Sequence, residues 1–212
     1  MLKTARTPLL ALTVTLTFAL AQPLAHASIL GNGDTAPPSF LTPGGNLMAT
    51  YSGTITTDTF TANYTQWVYA DPNNTFCAGC LDFVYQFTNN GPDVLERFSM
   101  YNFVTFRVDA GFDPNSGMHA PITVNRSTDG TVVGFNYTGA DNILAGETTP
   151  SLVIETNALN YVDGFVTAQD GNAGFGFAYA PGAATPEPST LGMLGTGIFA
   201  VGGFLRRFGL RK

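Results

Sequence analysis

The clearest pattern along the chain is an alternation of apolar and polar residues between positions 81 and 88. Successive side chains of a β-strand point to opposite faces of the sheet, so a period of two predicts a strand with one buried face. The residues predicted to face the core are Leu81, Phe83, Tyr85 and Phe87.

The five residues at positions 89–93, Asn-Asn-Gly-Pro-Asp, predict a turn after this strand. Asn-Gly accepts positive φ angles, and Pro92 has no amide hydrogen for a β-ladder. A second alternation runs from Phe98 to Val108. We therefore expect the runs before and after the turn to pair as a hairpin.

Further short runs rich in Thr, Val, Phe and Tyr lie between clusters of Gly, Asn, Asp and Pro, which is typical of strands separated by turns. No stretch between the two ends sustains a helical repeat over twelve residues. The pattern predicts an all-β fold, an antiparallel two-sheet sandwich, and leaves immunoglobulin-like and jelly-roll topologies open. The runs cover residues 50–57, 64–70, 122–125, 131–138, 152–156, 161–167 and 175–179.

Composition divides the chain into five segments. We expect a signal peptide at residues 1–27, followed by a loose N-terminal arm rich in Gly and Pro at residues 28–48. The sandwich domain is expected at residues 49–180 and a linker at residues 181–185. A separate C-terminal segment occupies residues 186–212.

The N-terminal segment has the three parts of a secretory signal peptide. Lys3 and Arg6 precede a short apolar stretch, and Ala25 and Ala27 form a small-x-small cleavage site. Cleavage after this site would leave Ser28 as the new N-terminus. The chain is therefore expected to pass through the Sec translocon.

The C-terminal segment contains an uncharged run of 15 residues at positions 191–205. A helix of this length spans about 22 Å, which is less than the ~30 Å of a hydrocarbon core, so we expect a marginal membrane helix. Basic residues stay on the cytoplasmic side, which places the preceding chain outside. The basic residues that end the segment are Arg206, Arg207, Arg211 and Lys212.

The residues just before this run are Pro186, Glu187, Pro188, Ser189 and Thr190. The two prolines keep the segment extended. A Pro-Glu-Pro motif, a short Gly-rich apolar helix and a basic end, in this order, resemble the PEP-CTERM sorting signal. The resemblance covers residues 186–212. It implies recognition and cleavage by a membrane-embedded exosortase, a transient membrane-anchored intermediate, and delivery to the cell surface or exopolysaccharide matrix.

The expected mature body is strongly acidic. Between residues 28 and 185 it holds three arginines, no lysine and fourteen acidic residues, a formal charge of −11. Such a charge repels nucleic acid and anionic lipid, so neither is an expected partner of the body.

Cys77 and Cys80 are the two cysteines of this exported chain, and we expect them to form a local disulfide. A redox pair would sit at a helix N-terminus, whereas Leu81 begins a predicted strand. Haem attachment would require histidine at the position of Leu81. Zinc would require more ligands than the mature chain's one histidine, His119, can complete.

Signals for catalysis and for metal binding are weak. His119 lies in a turn-rich stretch, no serine has the Gly-x-Ser-x-Gly pattern, and nothing favours any pair among the many carboxylates. We therefore predict no enzymatic activity and no required cofactor. Calcium remains an alternative to plain turn chemistry at Asp113, Asp129 and Asp170, where Asp, Asn and Gly cluster.

Aromatic residues are frequent on the predicted strands, where one face of each sheet must be exposed. Core packing is one role for them, and holding a sugar or protein partner is another. We predict an exported protein with a structural or adhesive role, with exopolysaccharide as a partner. The alternatives are a secreted polysaccharide-acting enzyme that uses carboxylates and a calcium-dependent carbohydrate-binding module. The aromatic candidates are Tyr64, Trp67, Tyr69, Tyr101, Tyr137 and Tyr161.

Overall fold

The computed structural model describes residues 29–183. Within this range the chain forms twelve β-strands and one short 3₁₀ turn, Gly139–Asp141, and contains no α-helix. The strands are β1 (Thr35–Ala36), β2 (Ser39–Phe40), β3 (Asn46–Thr56), β4 (Phe60–Asp71), β5 (Cys80–Pro92), β6 (Arg97–Met100), β7 (Val108–Phe112), β8 (Thr123–Arg126), β9 (Val133–Asn136), β10 (Leu152–Thr156), β11 (Asn160–Gln169) and β12 (Ala173–Gly182).

The strands form two six-stranded sheets. The first sheet has the order β2-β7-β10-β5-β4-β3, and the second has the order β1-β8-β9-β6-β11-β12. All neighbouring strands are antiparallel except β2 and β7, which are parallel. The prediction of an all-β fold with two sheets is therefore confirmed for the described part of the chain, with one parallel pair that the sequence did not indicate.

The predicted hairpin around residues 89–93 is wrong. Strand β5 pairs with β4 and β10 in the first sheet, whereas β6 pairs with β9 and β11 in the second. The run from Phe98 to Val108 is also interrupted, because Asn102 and Thr105 adopt positive φ angles of 72° and 73°. Alternation fixes which face of a strand is buried, but it does not fix which strand lies alongside.

Side chains from both sheets share one hydrophobic core. The four apolar residues of the predicted strand at positions 81–87 are all buried in it. Phe87 of the first sheet stacks on Phe98 of the second with ring centroids 4.2 Å apart. Phe83 meets Phe103 edge to face at 5.8 Å. Large aromatic rings therefore join the two sheets.

Residues before β3 differ from the expected loose arm. β1 pairs with β8 in the second sheet, and β2 pairs with β7 in the first. Leu30 is 1% exposed, and its amide donates to the Val108 carbonyl at 2.8 Å. Gly and Pro keep these strands short, but the apolar residues between them add to the core.

Glycines let β12 pack closely over the edge of the first sheet. A Cβ atom at Gly176 would lie 2.5 Å from the Tyr64 hydroxyl, and one at Gly174 would lie 2.3 Å from Ile55. Tyr64 in turn donates to the Phe177 carbonyl at 2.6 Å. The inward positions of β12 are small, so its outward positions carry the large rings.

Candidate ligand-binding face

An aromatic patch lies on the outward face of the second sheet, and it comprises Tyr101, Phe165 and Phe175. The three side chains line an open pocket of about 270 Å³. Phe165 and Phe175 are 56% and 69% exposed. Tyr101 is held beside β11 because its amide donates to the Phe165 carbonyl at 3.0 Å. Because the three rings adjoin one another, they make this face a candidate contact surface.

The ladder register explains why these rings come together. Phe165 lies opposite Phe177, and Thr167 lies opposite Phe175, so β11 and β12 place their aromatic residues on adjacent rungs. The neighbouring positions on both strands, Val166 and Ala178 among them, point into the core. Strand alternation therefore separates the outward aromatic residues from the inward small ones.

A polar cluster adjoins the aromatic patch on the same face and is centred on Arg97 of β6. The Arg97 Nε donates to the Ser99 Oγ at 3.0 Å, and its Nη1 donates to the Asn125 Oδ1 at 2.8 Å and to the Asn136 Oδ1. Asn136 also donates to Asn125 and Thr123. A Cβ atom at Gly134 would collide with the guanidinium, so glycine here lets the arginine lie flat across β9.

The guanidinium of the polar cluster is partly buried. Burial lowers the pKa of Arg97 from its ordinary value, and the negative charge that Tyr101 carries when it is ionised opposes that shift. Arg97 stays charged at neutral pH because guanidinium pKa values start far above it. The outward face thus offers flat rings on one side and a cation with amides and hydroxyls on the other.

The predicted aromatic residues have three different environments. Tyr64 and Tyr137 are in the core and cannot contact a ligand. Trp67 and Tyr69 are half-buried on the outward side of the first sheet, packed on a small cluster of Leu41, Val84 and Val153. Tyr161 is partly exposed and contacts Tyr179. Of the six, Tyr101 is the one in the aromatic patch.

Sequence reasoning missed Phe165 and Phe175 as surface residues. Their strands combine large rings with glycine or alanine at alternate positions, as in Gly174, Gly176 and Ala178. Small residues on one side of a strand indicate close packing there, which leaves the rings for the other side. That signal was present in the sequence.

Sequence reasoning also missed a row of three buried carboxylates on the outward side of the first sheet. Asp82, Glu155 and Asp109 are in register on β5, β10 and β7. Asp82 accepts from the Asn74 amide at 2.7 Å, and Asp109 accepts from the Ser39 hydroxyl at 2.9 Å. The Oδ2 atoms of both aspartates are buried without a hydrogen-bond partner among the described residues.

Burial is the main cause of the raised pKa values of the two aspartates in this row. It raises the pKa of Asp82 to about 8, although the Asn74 hydrogen bond lowers it and the charges of Glu155 and Asp71 raise it further. Desolvation likewise raises the pKa of Asp109 to about 6. Burial disfavours the charged form of a carboxyl group, so Asp82 holds its proton at neutral pH.

Cys77 and Cys80 are joined by a disulfide in the loop between β4 and β5, with Cα atoms 5.3 Å apart. The same loop covers the carboxylate row. Its Asn74 side chain binds Asp82, and its Thr75 amide donates to the Glu155 Oε2 at 3.0 Å. The disulfide therefore closes the loop that shields these acids from water.

In each of the three loops with candidate calcium ligands, an Asp side chain closes a turn by accepting a backbone amide of the same loop. Asp113, Asp129 and Asp170 each accept the amide of the residue two positions later, at 2.8–3.0 Å. These are Asx turns. Between residues 29 and 183, no three His, Cys, Asp or Glu side chains come together as metal ligands. His119 lies 3.3 Å from the Glu147 carboxylate.

The remaining predicted sites lie outside the described residues. They are the signal cleavage site at Ala25, Ala27 and Ser28, the motif at positions 186–190, and the basic end. The proposed membrane helix also lies there. In the part of the chain that the structure describes, no helix is long and apolar enough to cross a bilayer.

The folded part is thus an all-β domain with an exposed aromatic patch, and the comparisons with known proteins concern the tail that follows it. Residues 184–207 match the model of the PEP-CTERM protein-sorting motif. The resemblance of the tail is confirmed, and the chain carries this motif. The match includes Pro186, Glu187, Pro188, Ser189, Thr190, Arg206 and Arg207, and it ends before Arg211 and Lys212.

The motif implies an exported, cell-surface-directed protein that is sorted by an exosortase. No curated protein and no solved structure matches the chain. The activity of the folded domain must therefore be argued from its own residues.

Proposed function

We propose that this protein is a non-enzymatic structural or adhesive component of the cell surface or extracellular matrix, and that it binds matrix polysaccharide on the aromatic patch of Tyr101, Phe165 and Phe175. We further infer that the two sheets form a sandwich, because they share one core and each has an outward face. The Sec translocon delivers the chain, the C-terminal helix holds it briefly in the membrane, and the exosortase then cuts it.

The observation that carries the proposal is the pair of exposed rings, Phe165 and Phe175, beside Tyr101 on a sheet. A strand ladder holds them at fixed spacing, so little conformational entropy is lost when a flat partner stacks on them. Sugar rings have an apolar face for stacking and hydroxyl groups for the amides and hydroxyls of the polar cluster. The patch therefore suits a saccharide chain.

Removing the two exposed rings tests the proposal. The mature protein is purified from culture medium and sedimented with the host's extracellular polysaccharide. Changing Phe165→Ala and Phe175→Ala together is expected to weaken binding by about tenfold or more, since each exposed aromatic contact contributes on the order of 1 kcal/mol. The melting temperature should change little because both rings are exposed.

Phe40→Ala is the matched control. Phe40 is 63% exposed, lies on β2 of the other sheet and contacts Phe112 at 5.4 Å. This variant should bind as the unchanged protein does. Equal binding by the double variant would overturn the proposed site. The polymer's chain length is measured in the same samples, and a shortening that depends on a carboxylate would favour the enzyme alternative.

A further inference from the structure

Arg97 is a surface cation without an anionic partner in the described structure. Between residues 29 and 183, the ion pair observed is that of His119 and Glu147, and none involves Arg97. Its hydrogen bonds go to the neutral oxygens of Ser99, Asn125 and Asn136, and they use Nε and Nη1. Its Nη2 lies against Gly134, donates to no residue in this range and is not completely buried.

The charge distribution of the domain sets this arginine apart. The body carries fourteen acidic residues and three arginines. Arg126 is buried and donates to four backbone carbonyls, and the Arg107 guanidinium stacks over the Phe76 ring. Among the outward strand positions of the second sheet, Asp163 on β11 is the one carboxylate and Arg97 the one cation.

We propose that Arg97 forms an anion subsite of the aromatic patch, and that the ligand is a polysaccharide with carboxylate-bearing sugars, such as uronic acids. This inference rests on the proposed function and specifies its ligand class. A sugar ring stacks on Phe165 and Phe175, and the carboxylate of a neighbouring sugar accepts from the free Nη2 of Arg97. A charge-assisted hydrogen bond from Nη2 is stronger to a carboxylate oxygen than to a neutral hydroxyl.

The spacing of the two zones fits a chain rather than a single sugar. Arg97 and Tyr101 are four residues apart, which is about 13 Å along an extended strand. Ser99 and Thr167 lie opposite each other on the rung between them, and both are buried, so a chain that reaches both zones passes over this rung. The Asn125 and Asn136 oxygens hold the guanidinium in place before the ligand arrives, so its orientation costs little on binding.

The test compares two polymers that differ in the carboxylate alone. A polyglucuronate and the same material after carboxyl reduction, which turns each uronate into a neutral hexose, are titrated into the mature protein by calorimetry. The unchanged protein is expected to bind the polyglucuronate roughly tenfold to a hundredfold more tightly, as charge-assisted hydrogen bonds permit. The body's formal charge of −11 repels a polyuronate at long range. Salt screens this repulsion as well as the contact with Arg97, so all titrations are made at one salt concentration and the Arg97 variants identify the subsite.

Arg97→Gln should abolish this preference, and Arg107→Gln should retain it. Both variants change the net charge equally, so a general charge effect would move both alike. Arg97→Lys keeps the charge and should keep part of the preference. A melting curve checks the fold of each variant. If Arg97→Gln is unfolded, equal binding of the two polymers to the unchanged protein still overturns the anion subsite, and a reduced preference of Arg97→Lys assigns the subsite to this side chain.

The outcomes separate the inference from the proposed function. Equal binding of both polymers, still dependent on Phe165 and Phe175, would overturn the anion subsite and leave the aromatic site standing. Binding of neither polymer, nor of the host's own polysaccharide, would overturn both. A preference for the polyglucuronate that survives Arg97→Gln would remove Arg97 from the site.

Discussion

Asp82 shows how one buried residue changes the stability of the whole domain with pH. Its pKa is about 8 in the folded protein and 3.8 in a free chain. The folded state therefore binds the proton more tightly, and its contribution to stability is complete below about pH 4 and is lost as the pH rises to about 8. Asp109, with a pKa of about 6, acts in the same direction.

We predict that the melting temperature rises when the pH is lowered from 8 to 5. Reduced repulsion among the other acids would act the same way, so the comparison with Asp82→Asn is decisive. Asparagine stays neutral and can still bind Asn74, and this variant should be more stable than the original at pH 8 and less dependent on pH. If the melting temperatures of the two proteins changed equally with pH, the raised pKa of Asp82 would be contradicted.

Single residues also show where sequence reasoning stops. The environment of Arg97 depends on Asn125 and Asn136, which come from two other strands of the sheet. No local pattern connects these positions, because the register that joins them is set by long-range packing. The disulfide of Cys77 and Cys80, in contrast, joins residues three apart, so its partners were evident from the sequence.

At the scale of elements, the loop between β4 and β5 links the disulfide to the buried acids. We predict that Cys77→Ala with Cys80→Ala lowers the free energy of unfolding by no more than about 2 kcal/mol, because so small a ring constrains few residues of the unfolded chain. Amide hydrogens at positions 73–79 should exchange faster, while those of β5 and β10 stay protected.

The same double variant should show a weaker pH dependence of stability. When the loop opens, water reaches Asp82 and its pKa falls toward the ordinary value. The melting temperatures of this variant and of Asp82→Asn would then change by similar amounts between pH 5 and pH 8, although the double cysteine variant melts at a lower temperature. An unchanged pH dependence would mean that the loop does not shield the acid.

The sequence pattern predicted which residues of β5 face the main core, but it predicted the wrong neighbouring strand. The alternation from Leu81 to Phe87 correctly identified a strand and the face that enters the main core, but the opposite face is buried too, at Asp82 and Val84. The turn at residues 89–93 is real in one respect, because Gly91 takes a φ of 78°. It leads the chain out of the first sheet, since Leu95 bridges to Ile143 and β6 then enters the second. The strands β5 and β6 are consecutive in the sequence but do not pair.

At the scale of the whole molecule, the sorting motif was recognisable because it is contiguous, whereas the aromatic patch combines residues from three places in the chain. We predict that the protein recovered outside the cell begins at Ser28 and ends between Pro186 and Ser189. Intact mass measures both ends at once. A product that still carries residues 191–212 would contradict exosortase cleavage and favour a permanent anchor.

The last strand and the sorting motif are almost contiguous. β12 ends at Gly182, paired with Asn160, and the motif match begins at residue 184. The cut that we predict between Pro186 and Ser189 lies four to seven residues after Gly182, so we expect the folded domain to hinder the approach of the cutting enzyme. Lengthening the chain after Ala183 with a few Gly and Ser residues should therefore speed trimming, and the bulk of the domain itself sets how quickly the protein is released.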